Sequence, residues 1–437
     1  MTASAIFRFY LQLIAAAKSG KETSPEALAG WCLLHKPSFR LPEAAEKQAM
    51  LQFRLLKRLF GFSAQASPQT IPVSGGKEGV AVFDNNPLSM PARIAHLEQN
   101  TDQQPEIFIS RKNLLEQPLS LRLKFQALFI SFRLLLIVGP RVQRALLLYE
   151  VFEAAALLRI IQEKRINYLH FYSAFEKDAN ALTLLLHKFG VHINKLPSPS
   201  ILAAHHRELI TDTLSLGSPY QADELSEYSS THHIGTVQHF TPEHWPGYGS
   251  LYQTAAAAPP QTIGFYSHGV WLREADGHAD SGFGDHTAEK MAVTALADYL
   301  QTRKNIQLII FLHPRERKPG NEMRTKQHYE NLFGGFGYRF SDSSKPSSHQ
   351  FDAADVGFGG ISTILFERLF AARKTVFFPA GVRDFPLTES KISEICPVTP
   401  EQLAVVLDKA LNTTANDWFQ QSGLSRYTAT NWLSKQN

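Results

Sequence analysis

Cysteine is almost absent from this chain. Its two cysteines among 437 residues, Cys32 and Cys396, lie far apart with no CxxC spacing, which argues against a disulfide framework and a thiolate zinc site and fits a reducing, cytoplasmic setting. Charge imbalance is also lacking. The 44 Lys and Arg stand against 40 Asp and Glu, and a formal net charge of +4 is too small at this length to make nucleic acid an expected partner. No apolar run reaches the roughly 20 residues of a membrane-spanning helix; the most apolar stretch, Phe125 to Val138, is shorter and contains Arg133. The run from Ile6 to Ile14 is interrupted by Arg8 and followed by no clean small-residue cleavage site, so it reads as a first helix rather than a signal peptide. There is no internal repeat, low-complexity tract or HExxH. No acid-rich ligand set accompanies the histidine pairs His205-His206 and His232-His233, with His239 and His244, so no metal is expected.

What is present is a composition for folding: 44% hydrophobic and 19% charged residues. The length exceeds what one core usually organises, and two domains are expected, 1–255 and 260–437. The hinge is placed at Tyr252 to Gln261, where Ala255 to Ala258 precede Pro259-Pro260. In the first half, helices are expected at Ala3 to Lys18, Pro25 to Leu34 and Glu43 to Phe60, then apolar strands at Gly79 to Phe83 and Glu106 to Ser110. A long helical region, Leu114 to Lys164, breaks near Gly139-Pro140. Ile166 to Tyr172, Glu176 to Lys188 and Val191 to Lys195 form a strand, helix, strand unit. The grammar restarts with strands at Thr262 to Tyr266, Ile306 to Leu312, Gly337 to Phe340, Asp352 to Gly357 and Thr375 to Phe378, with helices at His286 to Lys304 and Ser362 to Ala372. Continuous apolar strands alternating with helices imply an α/β fold with parallel sheets, whose ligands bind at the carboxyl ends of strands. Trp418, Phe419 and Trp432 are docking aromatics of terminal helices.

Three constellations fall at such ends. In Ile309-Ile-Phe-Leu-His313-Pro314-Arg315-Glu316-Arg317 a strand runs into an imidazole on a proline-stiffened backbone, followed by guanidiniums suited to phosphate. The bland alternative is a loop histidine beside a solvated charge run. In Gly359-Gly360-Ile-Ser362-Thr363 through Glu367, glycines allow close approach of a ligand. The hydroxyl residues open a helix whose amides favour an anion, and Glu367 is within a turn for ribose hydroxyls. An ordinary Ser/Thr cap is the competing reading. In Ser267-His268-Gly269 through Arg273, a tight turn offers amides or His268 to a phosphate that Arg273 would neutralise, or else is a packed loop anchored by Trp271.

Together, His313-Pro314 and Ser362-Thr363 resemble the paired motifs of bacterial GT-B glycosyltransferases, in particular sialyltransferase-like and polysialyltransferase-like enzymes. The resemblance covers motifs within Thr262 to Pro379. It implies two Rossmann-like domains facing each other across a cleft, with His313 and the Ser-Thr pair holding the cytidine nucleotide of a CMP-sugar, sialic-acid-like or Kdo-like. Uridine nucleotides come second. Those enzymes carry an acidic motif ending in glycine in the amino-terminal domain, whose carboxylate is the base on the acceptor hydroxyl. The nearest match is Phe175-Glu176-Lys177-Asp178, without the glycine, making Glu176 or Asp178 the expected base; acids decorating a helix start are the alternative, and Asp84 is a further candidate. The implied activity is inverting, metal-independent sugar transfer to a glycan or lipid-linked glycan acceptor in cell-surface polysaccharide assembly, with a nucleotide-sugar as co-substrate and no further cofactor. A CDP-alcohol phosphotransferase of teichoic-acid type and a non-catalytic nucleotide- or sugar-binding relative are the alternatives. Phe125 to Val138, among Arg122, Lys124, Arg133, Arg141 and Arg144, reads first as a buried helix with snorkelling cations and second as a helix peripheral to an anionic membrane.

Overall fold

The computed structural model describes residues 3–19, 24–35, 70–84, 90–111, 114, 121, 124–126, 128–130, 132, 141–172, 179–196, 209–217, 219–226, 233–240, 260–277, 285–303, 305–382 and 392–428. The expected helix at Glu43 to Phe60, the hinge before Pro260, Glu176 and Asp178, and Trp432 lie outside them. The chain forms two compact units, 1–216 with 225–243, and 217–224 with 244–437. Both are α/β, as the alternation of apolar runs and helices implies.

The first unit is a seven-stranded sheet in the order β1-β3-β2-β4-β5-β6-β7. These strands are Thr70–Pro72, Lys77–Asp84, Pro105–Ser110, Tyr168–Phe171, His192–Lys195, Ile210–Leu216 and His233–His239, numbered β1 to β7 along the chain. Only β1 runs antiparallel, against β3; the other pairings are parallel. Helices α1 (Ala3–Lys18), α2 (Pro25–His35), α3 (Met90–Asn100), α4 (Arg141–Glu163) and α5 (Ala179–His187) accompany it. Gly30 permits close contact of α1 and α2, because a Cβ there would lie 1.8 Å from the Leu13 carbonyl oxygen. The core gathers Ile6, Tyr10 and Leu13 of α1 with Val151, Leu157 and Ile161 of α4 and Phe83, Leu169 and Ile193 of the sheet.

Strands β6 and β7 escape sequence reading. Ile210-Thr-Asp-Thr-Leu-Ser-Leu mixes polar residues into its run, and β7 is a polar edge with Val237 47% exposed. Their polar side chains continue a ladder across the sheet. His170 donates through Nε2 to the Gln103 carbonyl (2.8 Å) and receives the Asn194 amide at Nδ1 (3.2 Å). Asn194 accepts from Ser215 (2.8 Å), which accepts from Gln238 (3.0 Å). Burial lowers the His170 pKa to about 4, so this member is neutral.

The second unit is a five-stranded, wholly parallel sheet in the order β10-β9-β8-β11-β12. Its strands are Gln261–Tyr266, Ile306–Phe311, Tyr338–Phe340, Val356–Gly359 and Thr375–Phe377, numbered β8 to β12. Around it lie α6 (Pro219–Ser226), α7 (Val270–Ala275), α8 (Asp285–Gln301), α9 (Glu322–Phe333), α10 (Thr363–Phe370), α11 (Pro400–Asn412) and α12 (Ala415–Gln421). The strand expected at Asp352 to Gly357 starts later. Ser347–Ala353 forms a 3-10 segment, and only Val356–Gly359 reaches the sheet. Residues 217–224 belong to this unit rather than to their neighbours in sequence, because Tyr220 is buried against Phe366, Phe370 and Tyr427. Trp418, an expected docking aromatic, is 1% exposed in the same core, a burial that contributes about 1.5–3 kcal/mol for a large apolar side chain.

Each sheet has one place where the order of strands reverses. In the first unit it lies between β2 and β4, and in the second between β8 and β11; sheets of this kind bind ligands in the crevice outside the carboxyl ends of their strands at such a point.

Candidate functional site

In the second unit the strand order brings three separate sequence motifs to one edge. β8 ends at Tyr266 and continues into Ser267-His268-Gly269, β9 ends before Leu312-His313, and β11 ends at Gly359 before Gly360. Gly269 has φ +59°, and a Cβ there would lie 3.1 Å from Cβ of His313. A Cβ on Gly360 would lie 3.2 Å from Cε1 of His268, and one on Gly359 3.0 Å from the Tyr266 carbonyl oxygen. Ser267, His268, Gly269, His313, Arg315, Gly359 and Gly360 therefore lie together, and Ser362 and Thr363 follow at the start of α10.

His313-Pro314-Arg315-Glu316 closes on itself as a tight turn in which the side chains of its first and last residues accept backbone N–H groups within it. The Arg315 N–H donates to Nδ1 of His313 (3.1 Å), and the His313 N–H donates to Glu316 (2.7 Å). With Nδ1 accepting, the neutral ring carries its proton on Nε2. Burial lowers the His313 pKa to about 4, aided by Arg315, His268, Arg317 and Lys318, so the ring stays a neutral donor at physiological pH. Nε2 of His268 is buried and has no hydrogen-bond partner among the described residues.

Two glutamates that sequence reading passed over build the floor of this site. Glu316, 1% exposed, also accepts from the Trp271 indole (2.6 Å) and the Tyr329 hydroxyl (2.8 Å), and burial raises its pKa. Trp271 is thereby anchored and stacks on His328 at 3.9 Å. Glu289 of α8, 6% exposed, accepts from the Ser267 hydroxyl (3.1 Å) and from the N–H groups of His268 (2.7 Å) and Val270 (3.0 Å). Glu316 had a signal in the sequence, its place three residues after His313; Glu289 had none, since it sits in an ordinary amphipathic helix.

These contacts change the roles open to several residues. The amides of the 267–270 turn, expected to meet a phosphate, are taken: those of His268 and Val270 by Glu289 and that of Gly269 by the Ser267 hydroxyl (2.9 Å). Arg317 is not directed to a ligand either. It donates to the carbonyls of Leu312 (3.0 Å) and Lys345 (3.2 Å) and to the Ser347 hydroxyl (3.0 Å). Arg315 spends one donor on the Gly269 carbonyl (3.2 Å), and Pro314 is exposed. Arg273 stands in the last turn of α7 and Glu367 one turn into α10.

At α10 the Ser362 backbone is extended and its hydroxyl makes no capping bond, so the first amides of the helix keep their anion-binding capacity. The usable donors of the crevice are two imidazoles, the Arg315 guanidinium, two hydroxyls and a helix start. That set suits a phosphate oxyanion. Among the described residues no cluster of His, Cys, Asp or Glu could hold a metal ion.

Glu289 is expected to be the strongest local determinant of the turn. Glu289→Ala should cost about 2–4 kcal/mol in urea unfolding, because it strands three donors, with Glu289→Gln losing less. A loss under about 1 kcal/mol for alanine would mean that the turn does not depend on this carboxylate.

At the reversal of the first unit, Asp84 is paired with Arg93 at 2.8 Å, and Arg93 lies over the Tyr172 ring at 4.3 Å. The Tyr172 hydroxyl is 2.7 Å from Nδ1 of His96. Asp84, the further candidate base, is therefore engaged in an ion pair. Residues 173–178, with Glu176 and Asp178, follow β4 in the sequence and lie outside the described residues. His233 and His239 lie on β7.

No protein-family model matches the chain, and no curated protein matches it in sequence. Among solved structures, a sucrose-phosphate synthase from Thermosynechococcus elongatus is similar at a TM-score of 0.44 and 10% identity, over 82% of this chain and 98% of that one. MnaA of S. aureus in a co-structure with UDP is similar at 0.45 and 12%, over 80% and 91%. MurG of Acinetobacter baumannii is similar at 0.38 and 11%, over 79% and 94%.

Proposed function

We propose that the chain is an inverting, metal-independent glycosyltransferase of GT-B type that takes a nucleotide-activated sugar, with a cytidine nucleotide first and a uridine nucleotide second. One observation carries this reading. A neutral Nε2–H imidazole, His313 at the end of β9, lies against Gly269 at the end of β8, and its neighbour His268 lies against Gly360, just before the uncapped start of α10. These donors would bind the phosphate of the leaving nucleotide. As the acceptor oxygen forms its bond to the anomeric carbon, the bond from that carbon to the phosphate oxygen breaks and its electron pair leaves with the nucleotide. The charge growing there is what His313 and the α10 amides stabilise. The acceptor proton goes to Glu176 or Asp178, which follow β4 in the sequence. The acceptor is a glycan or lipid-linked glycan of the cell surface.

The test is donor turnover across CMP-sugars, other nucleotide-sugars and CDP-glycerol, beside thermal protection by CMP, CDP, UDP and GDP. CMP is expected to raise the melting temperature most and a CMP-sugar to be consumed. Protection by none of the four nucleotides would sink the reading, and consumption of CDP-glycerol alone would make the protein a phosphotransferase. Glu176→Gln or Asp178→Asn should lower turnover by about 10²–10⁴-fold, and silence of both would remove only the base assignment.

A further inference from the structure

The stretch from Leu121 to Phe132 presents apolar side chains to solvent rather than to the core. Leu121 is 73% exposed, Phe125 66%, Leu128 53%, Phe129 56% and Phe132 65%. The described residues between 121 and 132 are helical. At roughly 100° per residue these five positions fall within an arc of about 100° on one side of a helix. Ile130, on the opposite side by the same spacing, is 1% exposed and packed in the core of the first unit. One face thus anchors the segment, and the other carries three phenylalanines and two leucines outward. A contiguous apolar face of this kind marks an interaction surface.

Charge identifies the occupant. From Gln117 to Tyr149 the chain has no Asp or Glu, while Arg122, Lys124, Arg133, Arg141 and Arg144 all fall there. Those cations exceed the net charge of the whole protein, +4, so the rest of the chain is slightly acidic. An apolar face within an acid-free basic stretch matches an anionic bilayer, which offers both acyl chains and a negative surface. No helix among the described residues is long and apolar enough to cross a membrane. We propose that the exposed apolar face of this segment docks the first unit on a membrane rich in anionic phospholipid, with Phe125, Phe129 and Phe132 at the acyl boundary and the basic composition of the surrounding sequence favouring the negative surface. This does not rest on the transferase reading, since it concerns neither the nucleotide crevice nor its chemistry.

The experiment is co-sedimentation of the full chain with phosphatidylcholine vesicles, with and without roughly one third phosphatidylglycerol. Binding is expected to the anionic vesicles only and to weaken as salt rises from about 0.1 to about 0.5 M. The double variant Phe125→Ser/Phe132→Ser should lose at least about tenfold in partitioning while keeping its melting temperature. The control Met323→Ser, at an 86% exposed position of the second unit, should bind as the parent does. Equal partitioning of the double variant and the parent would overturn the proposal. So would a parent that binds neither vesicle, or one that is dimeric by gel filtration and becomes monomeric in the double variant, which would make the face a contact between copies.

Discussion

His313→Ala is expected to lower donor turnover by roughly two to three orders of magnitude, the usual cost of removing one donor to a developing oxyanion. The ring has two separable duties, so the informative comparison is His313→Asn. Asparagine readily bonds the backbone N–H two residues on and can accept the Arg315 N–H that Nδ1 now accepts, but it does not place an N–H where Nε2 stands. Its melting temperature should therefore remain near that of the parent while turnover falls as it does for alanine. Full turnover in the asparagine variant would reduce His313 to a structural role.

The same ring makes a pH prediction. Its folded pKa is about 4 against an ordinary value of 6.5, so between those values the unfolded chain binds a proton that the nucleotide-free folded protein refuses. The stability it contributes is full above about pH 6.5 and is lost as pH falls toward about 4. Its proton resonance, assigned by its loss in His313→Asn, should stay unshifted from about pH 7.5 down to about pH 5. A midpoint near the ordinary value would contradict the burial that keeps it neutral.

The largest effect on stability is expected at Arg368. This side chain is fully buried in α10, where it donates to the carbonyls of Phe351, Ala354 (2.7 Å) and Lys374 (3.3 Å) and to the Tyr266 hydroxyl (3.3 Å). It ties the 3-10 segment before β11 to β8 and to the turn before β12. Gly357 makes room for it, since a Cβ there would sit 2.5 Å from its Cδ and Nε. Arg368→Met fills much of the same volume but leaves several main-chain acceptors dry, and should cost about 3–5 kcal/mol in urea unfolding. Arg368→Lys should recover little, because one ammonium cannot span four acceptors. A cost below about 1 kcal/mol for methionine would show that the carbonyls find other donors.

These predictions divide along what could be read in the chain. Local patterns were legible because their causes are local. The apolar runs of β8 and β9 specify buried strands, and His313-Pro314 marks the end of the second. The burial of Glu316 was hidden behind its charged neighbours, because a carboxylate between two arginines looks solvated until Trp271 and Tyr329 are placed on it. Arg317 misled for the converse reason, a guanidinium that suits phosphate being claimed by carbonyls far along the chain.

By itself the sequence determined that there are two α/β units, where most strands begin and end, and that chemistry-bearing residues stand at strand ends. Those properties follow from periodicity, turn residues and capping, which depend on neighbours a few positions apart. Only the tertiary structure decided the strand orders, the meeting of residues 267–269 with 313–315 and 360, and the closing of the turn amides by Glu289. It also decided that Asp84 is spent on Arg93 and that the 121–132 stretch turns its phenylalanines outward, against the first expectation of a buried helix. Each of these depends on which distant residue supplies a hydrogen bond or excludes water. Burial and pairing are properties of the assembled neighbourhood, not of the residue that undergoes them.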